Sequence, residues 1–221
     1  MLPWRGAALT YRIVFAAVTL WALALLLDVD EGRFDPVVFV FFTALSNLAV
    51  LVWAVLSVVV TARDGLRDGW RGGSSPSPRV AGYPLMSIIV TMLIYLVVLT
   101  PTVPADELFT LEDTLVHVVV PVLMILDWLL FTPKGHQRWY DPLLWALPPY
   151  AYLAWAFLHH ALGGDFSGRP YPYPFMNVDR IGWDGFFLYV VVLTLGLEIV
   201  AYLIHAVDRL LGRRARRRVA G

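Results

Sequence analysis

The chain has 221 residues, 59% hydrophobic and only 15% charged, with 9 Trp, 10 Tyr and 12 Phe. Domains that fold in water carry about a quarter charged residues, so this composition excludes an ordinary water-soluble domain and fits a polytopic membrane protein. Cysteine is absent, which excludes disulfides, a thiolate nucleophile and Cys-ligated metals, and the 17 basic and 17 acidic residues balance to zero net charge.

Six apolar runs predict an all-α bundle of six transmembrane helices in a single domain, over about 10–27, 37–61, 84–100, 114–131, 143–162 and 183–207, with a basic tail at 208–221. Each run is near the ~20 residues needed to cross ~30 Å of hydrocarbon. The first is long for a signal h-region, and DVDEGR follows it in place of a small-residue cleavage site, so it is expected to be retained. The linkers GWRGGSSPSP, TPTVPADE and GGDFSGRPYPYP are rich in Pro, Gly, Asp and Arg, and no soluble domain or internal repeat stands out.

Charge orients the bundle. All but three of the 17 Lys and Arg residues fall on the side of the termini, in the second and fourth linkers, or in the tail; the exceptions are Arg33, Arg169 and Arg180. DVDEGRFD and ADELFTLED make the opposite side acidic. The positive-inside rule then predicts a multi-pass protein of the plasma or inner membrane with both termini in the cytoplasm. The tail RLLGRRARRR reads as a contact with anionic lipid, and no nucleic-acid partner is expected.

Intramembrane polar groups are few, and ionisable ones mark function by default. In helix 2, Thr43 lies about 9 Å below the boundary, with Ser46 beside it and Asn47 one turn deeper. The structural reading of these three is local bonding to carbonyls and helix–helix adhesion. Helix 4 reads DTLVHVVVPVLMILDWLLF. Its His117 lies in the first turn, and Pro121 has no N–H to give the His117 carbonyl, which predicts a kink and a wet pocket there. Asp127 is about 80° round the helix from His117 and ~15 Å further along. It cannot orient His117, and its expected partner is Trp128, a tyrosine or a basic group. In helix 5, Pro148 and Pro149 predict a bend, and His159 and His160 fall at the depth of His117 and Thr43. Glu198 and His205 in helix 6 are expected to serve helix packing and the interface.

A threonine and a histidine at one depth suggest a nucleophile and its base. Neutral imidazole takes the hydroxyl proton near pH 7, an acyl-threonine forms, and water releases the acid. Asn47, Ser46, His159 or His160 could supply oxyanion donors. No GxSxG elbow, HExxH motif or phosphate loop is present; no metal and no cofactor are expected.

The stretches FFTALSN, LVHVVVP, and WAFLHHALGG followed by YPF occur in that order. In this the chain resembles the androgen-induced-gene family of integral-membrane hydrolases, from helix 2 through the fifth linker. The resemblance implies a multi-pass enzyme that cleaves fatty acid esters of hydroxy fatty acids, with Thr43 as nucleophile and His117 as base. It also implies that Tyr173 and Phe175 belong to the substrate pocket, where Pro121 and Asp127 are further candidates. The chain departs from human-type members in carrying Ser46 and Asn47 where those have an acidic residue, and in its longer GGDFSGRPYP loop. The substrate implied is a membrane lipid with a long acyl chain. Alternatives are a haem- or quinone-binding protein using His117 with His159 or His160, a transporter, or a non-enzymatic scaffold.

Overall fold

The computed structural model describes residues 2–102 and 108–220, and of 214–220 the backbone alone. Part of the acidic third linker and most of the basic tail's side chains therefore lie outside the described residues. The fold is all-α, and the sole extended pairing among the described residues is an isolated bridge between Trp4 and Arg71.

Five helices are long and apolar enough to cross a membrane: α1 (Arg5–Leu26), α2 (Phe42–Asp68), α3 (Gly82–Thr102), α4 (Leu111–Phe131) and the final helix, apolar over Val178–Arg213. The expected fifth crossing is split into α5 (Asp141–Trp145) and α6 (Leu147–Ala161). The cause is Pro148 and Pro149, which cannot donate to the carbonyls of Leu144 and Trp145. The final helix, α7 (Val178–Ala220), bends at Gly182, whose φ of 70° is accessible to glycine at little cost.

Proline also shapes α3 and α4. Each contains a π-helical stretch, Ile94–Leu99 and Leu115–Val119, shortly before Pro101 and Pro121. In α4 the Val120 N–H reaches back five residues to the Leu115 carbonyl. The kink expected beside His117 is thus a π-bulge, a feature that recurs at functional sites.

Polar contacts sort the linkers between two ends of the bundle. At the basic end Arg5 donates to the Gly69 and Arg71 carbonyls, the Leu2 N–H to the Leu130 carbonyl, and the Gly135 N–H to Asp208 of α7. At the acidic end the Phe42 N–H meets the Tyr173 hydroxyl, and the Tyr152 hydroxyl donates to the Val40 carbonyl. Consecutive helices therefore alternate in direction, as a multi-pass chain requires.

Lipid removes the hydrophobic drive between helices, so close packing and polar bonds hold the bundle. One buried cluster joins α1 to α4 through Phe15, Val50, Trp53, Leu85, Val116 and Met124. A second joins α3, α5, α6 and the α6–α7 linker through Met86, Val90, Trp145, Tyr152, Phe166 and Met176. Gly82 allows Trp145 to seat: a Cβ there would stand 2.1 Å from the indole.

Candidate active site

Thr43 is the second residue of α2 and His117 lies in the π stretch of α4. The Thr43 Oγ1 is 3.3 Å from the His117 Nε2. His117 is 8% exposed. The ring is fixed from the other side by its own helix: Nδ1 is 3.2 Å from the Asp113 carbonyl oxygen and 3.4 Å from its carboxylate Oδ1. Both partners accept, so the Nδ1 proton belongs there and the Nε2 lone pair faces the hydroxyl. That is the tautomer a general base needs.

Tyr95, in the π stretch of α3, completes the mount. Its ring stacks on the imidazole with centroids 4.1 Å apart and planes 10° from parallel. Its hydroxyl donates to Asp113 Oδ2 at 3.2 Å and accepts the Phe109 N–H at 3.2 Å. Sequence reasoning missed both Asp113 and Tyr95. Asp113 had a visible signal, standing four residues before His117 on one helix face, but it was read as part of an acidic linker.

Ser46 and Asn47 sit beneath the pair. Asn47 Nδ2 donates to the Thr43 carbonyl at 2.8 Å and to the Val116 carbonyl at 3.2 Å, tying α2 to the π stretch of α4. Ser46 Oγ donates to the Thr43 carbonyl at 3.0 Å and shares a 2.7 Å bond with Thr91 of α3. Their donors are thereby directed to the scaffold, away from the oxyanion role considered for them; they position the nucleophile.

The dyad opens onto a cavity whose wall includes Thr43, His117, Met86, Val90, Ile94, Tyr152, Leu153, Tyr173, Phe175, Leu193, Leu197 and Glu198. The wall is overwhelmingly apolar, and its polar groups include Thr43, Thr91, His117, Tyr150, Thr194 and Glu198. Tyr173 and Phe175 line it as expected. The phenol of Tyr173 accepts the Phe42 N–H at 3.1 Å. Burial pushes its pKa up, against the pull of the nearby Thr43 and Tyr152 hydroxyls.

Four sequence candidates lie away from the cavity wall: Pro121, Asp127, His159 and His160. Pro121 is buried and does not line the cavity; its effect on the site is the π-bulge. Asp127 is at the basic end of α4, where Arg12 Nε donates to its Oδ1 at 2.7 Å. The basic partner expected for it is therefore Arg12, and it takes no part in the pocket. His159 stacks on Trp155 and faces the Asp165 carbonyl, and His160 packs on Tyr171. Depth along the membrane placed this pair near His117, but their helix face turns them into the α6–α7 linker. Neither of them lines the cavity that holds Thr43 and His117. Among the described residues no group of three His, Asp or Glu side chains is arranged to hold a metal ion.

No family model, curated protein or solved structure matches this chain. Any reading of its chemistry rests on the geometry of the site.

Proposed function

We propose that the protein is an intramembrane hydrolase of lipid carboxylic esters, with Thr43 as nucleophile, His117 as base and Asp113 as the residue that orients the imidazole. The observation that carries this reading is the 3.3 Å approach of Thr43 Oγ1 to a histidine nitrogen whose partner nitrogen faces two acceptors, in the wall of an apolar cavity. A helix-packing threonine needs no such base, and a ligand-binding histidine needs no such hydroxyl.

The steps balance as in acyl transfer. Thr43 Oγ1 attacks the ester carbonyl carbon while its proton passes to His117 Nε2. The carbonyl π electrons move onto oxygen. As the tetrahedral intermediate collapses, the ester C–O bond breaks and the leaving alkoxide takes the proton back from His117. Water, deprotonated by the same nitrogen, then attacks the acyl-threonine and releases the acid. Tyr95 and Asp113 hold the imidazole in one orientation throughout, so little reorganisation accompanies proton transfer.

The cavity suits a long acyl chain, and the resemblance noted in the sequence points to fatty acid esters of hydroxy fatty acids. The positive-inside bias supports cytoplasmic termini in a plasma or inner membrane, with the dyad in the opposite leaflet. The test is covalent trapping. A long-chain alkyl fluorophosphonate should modify Thr43 in the purified protein, with the adduct found on the Thr43 peptide by mass spectrometry. Absence of labelling and of ester hydrolysis in folded protein would sink the reading.

A further inference from the structure

An ester hydrolase of this kind needs a hydrogen-bond donor where the carbonyl oxygen gains charge. The polar groups around Thr43 can be taken in turn. His117 Nε2 is the proton acceptor and cannot also stabilise the first oxyanion. The donors of Asn47 and Ser46 are directed to the Thr43 and Val116 carbonyls. Thr91 is engaged with Ser46 and the Ser87 carbonyl. The Tyr152 hydroxyl donates to the Val40 carbonyl at 3.0 Å. Tyr173 differs: its phenol oxygen accepts the Phe42 N–H, which leaves its own O–H proton to be given elsewhere.

Resting on the hydrolase reading above, we propose that Tyr173 is a catalytic residue whose hydroxyl donates to the oxyanion formed on Thr43. The phenol meets the N–H of Phe42, the residue before Thr43, and lines the same cavity as the dyad, and the new oxyanion is two bonds from the Thr43 oxygen. The donor is also rigid. Tyr173 stands between Pro172 and Pro174 in extended backbone, and a 3₁₀ turn over Pro174–Met176 follows, with Met176 fully buried. Its ring stacks on Phe175 with planes 1° apart and centroids at 5.5 Å. The Phe42 N–H, at the start of α2, adds a second effect: a phenol that accepts a bond becomes a stronger donor. Charge then spreads from the oxyanion through the phenol to the positive end of α2.

A purely structural role as a cap on the Phe42 N–H makes a different prediction, and the experiment separates the two. Purified protein in lipid nanodiscs is assayed with 4-nitrophenyl palmitate and with a long-chain alkyl fluorophosphonate. Tyr173→Phe is compared with Tyr11→Phe, which removes a hydroxyl that donates to the Leu123 carbonyl and does not line the cavity. The expected result is a fall in kcat of about 10²-fold for Tyr173→Phe with KM within about twofold, and a matching fall in phosphonate labelling. Tyr11→Phe should keep kcat within about threefold. A Tyr173→Phe protein with a lowered melting temperature but kcat within threefold would overturn the assignment. If that variant does not fold, fluorotyrosine at position 173 serves instead: its more acidic hydroxyl should change kcat and shift the alkaline limb of the rate profile, and no change overturns the proposal. Failure of the unmodified protein to hydrolyse or label removes the hydrolase reading and this assignment together. Hydrolysis by the unmodified protein with an unaffected Tyr173→Phe removes the oxyanion assignment alone.

Discussion

Helix α4 carries two buried polar centres, one near each end, and they are built in opposite ways. At the basic end Arg12 and Asp127 are 0% and 1% exposed. The guanidinium donates to Asp127 Oδ1 at 2.7 Å, to Thr61 Oγ1 at 2.6 Å and to the Ser74 carbonyl at 2.9 Å, while Thr61 donates onward to the Ser57 carbonyl. Neither Arg12 nor Asp127 lines the cavity at the dyad. At the acidic end the contacts of His117 run from 3.2 to 3.4 Å, and the group faces empty space. Short, saturated and enclosed contacts fasten helices. Longer contacts beside a cavity leave a hydroxyl and a lone pair free to react. Polarity inside a membrane protein therefore distinguishes function from architecture only when the neighbouring space is counted.

The comparison predicts two different kinds of damage. The largest loss is chemical: Thr43→Ala and His117→Ala should each reduce ester hydrolysis by at least about 10³-fold while the melting temperature stays near that of the parent. Equal loss of fold and activity would put the two centres in one class. The next effect is structural. Asp127→Asn or Arg12→Met strands the partner in a buried site and should cost about 3–5 kcal/mol of stability. The double substitution to Met and Leu should recover most of that, and the protein that remains folded should keep its turnover. Thermal unfolding in nanodiscs, with activity per folded molecule, measures both.

Much of this contrast was legible in the sequence, and the unread part has a common cause. Hydropathy located the five helices long and apolar enough to cross a membrane, because each must cover the hydrocarbon thickness, while the expected fifth run is split in two. Pro121 and the Pro148–Pro149 pair located the irregular backbone, because a missing N–H is a local property. Thr43 and His117 could be paired because depth along a helix can be counted in residues. What depth does not contain is azimuth. His159 and His160 share the level of His117 but lie on another face. Arg12 resembled an ordinary positive-inside charge, and nothing local reveals a partner 115 residues away. Asp113 was hidden differently: its spacing to His117 was visible, but its place in an acidic run suggested only topology.

Asp113 gives the third effect in size and sharpens the idea that the centre at the acidic end is loosely built. Asp113→Asn removes the carboxylate but leaves the backbone carbonyl that also faces Nδ1, so the ring should keep its tautomer. The expected loss is about tenfold in kcat, the size typical of a partner that orients a working histidine, with KM unchanged. A loss as large as that of His117→Ala would mean that the carboxylate alone holds the ring.

The smallest effect returns to the basic end, at Lys134. Its Nζ donates to the Trp128 and Thr132 carbonyls and lies 4.1 Å from the Trp128 ring centre. Burial pulls its pKa down to about 8, against the opposing pull of Asp208 and Asp127. The folded state therefore holds this proton less tightly than the unfolded chain, whose lysine titrates near 10.4. Between those two values the unfolded state binds more protons, so this group makes stability rise with pH across that window. Lys134→Met should remove that rise, and melting temperatures of parent and variant from pH 7 to 10.5 should converge toward the alkaline end apart from a constant offset for packing. The dyad at the other end should be indifferent to the change, with turnover at pH 7 unaltered. Coupling between Lys134 and turnover would show that the closed centre does more than fasten α4.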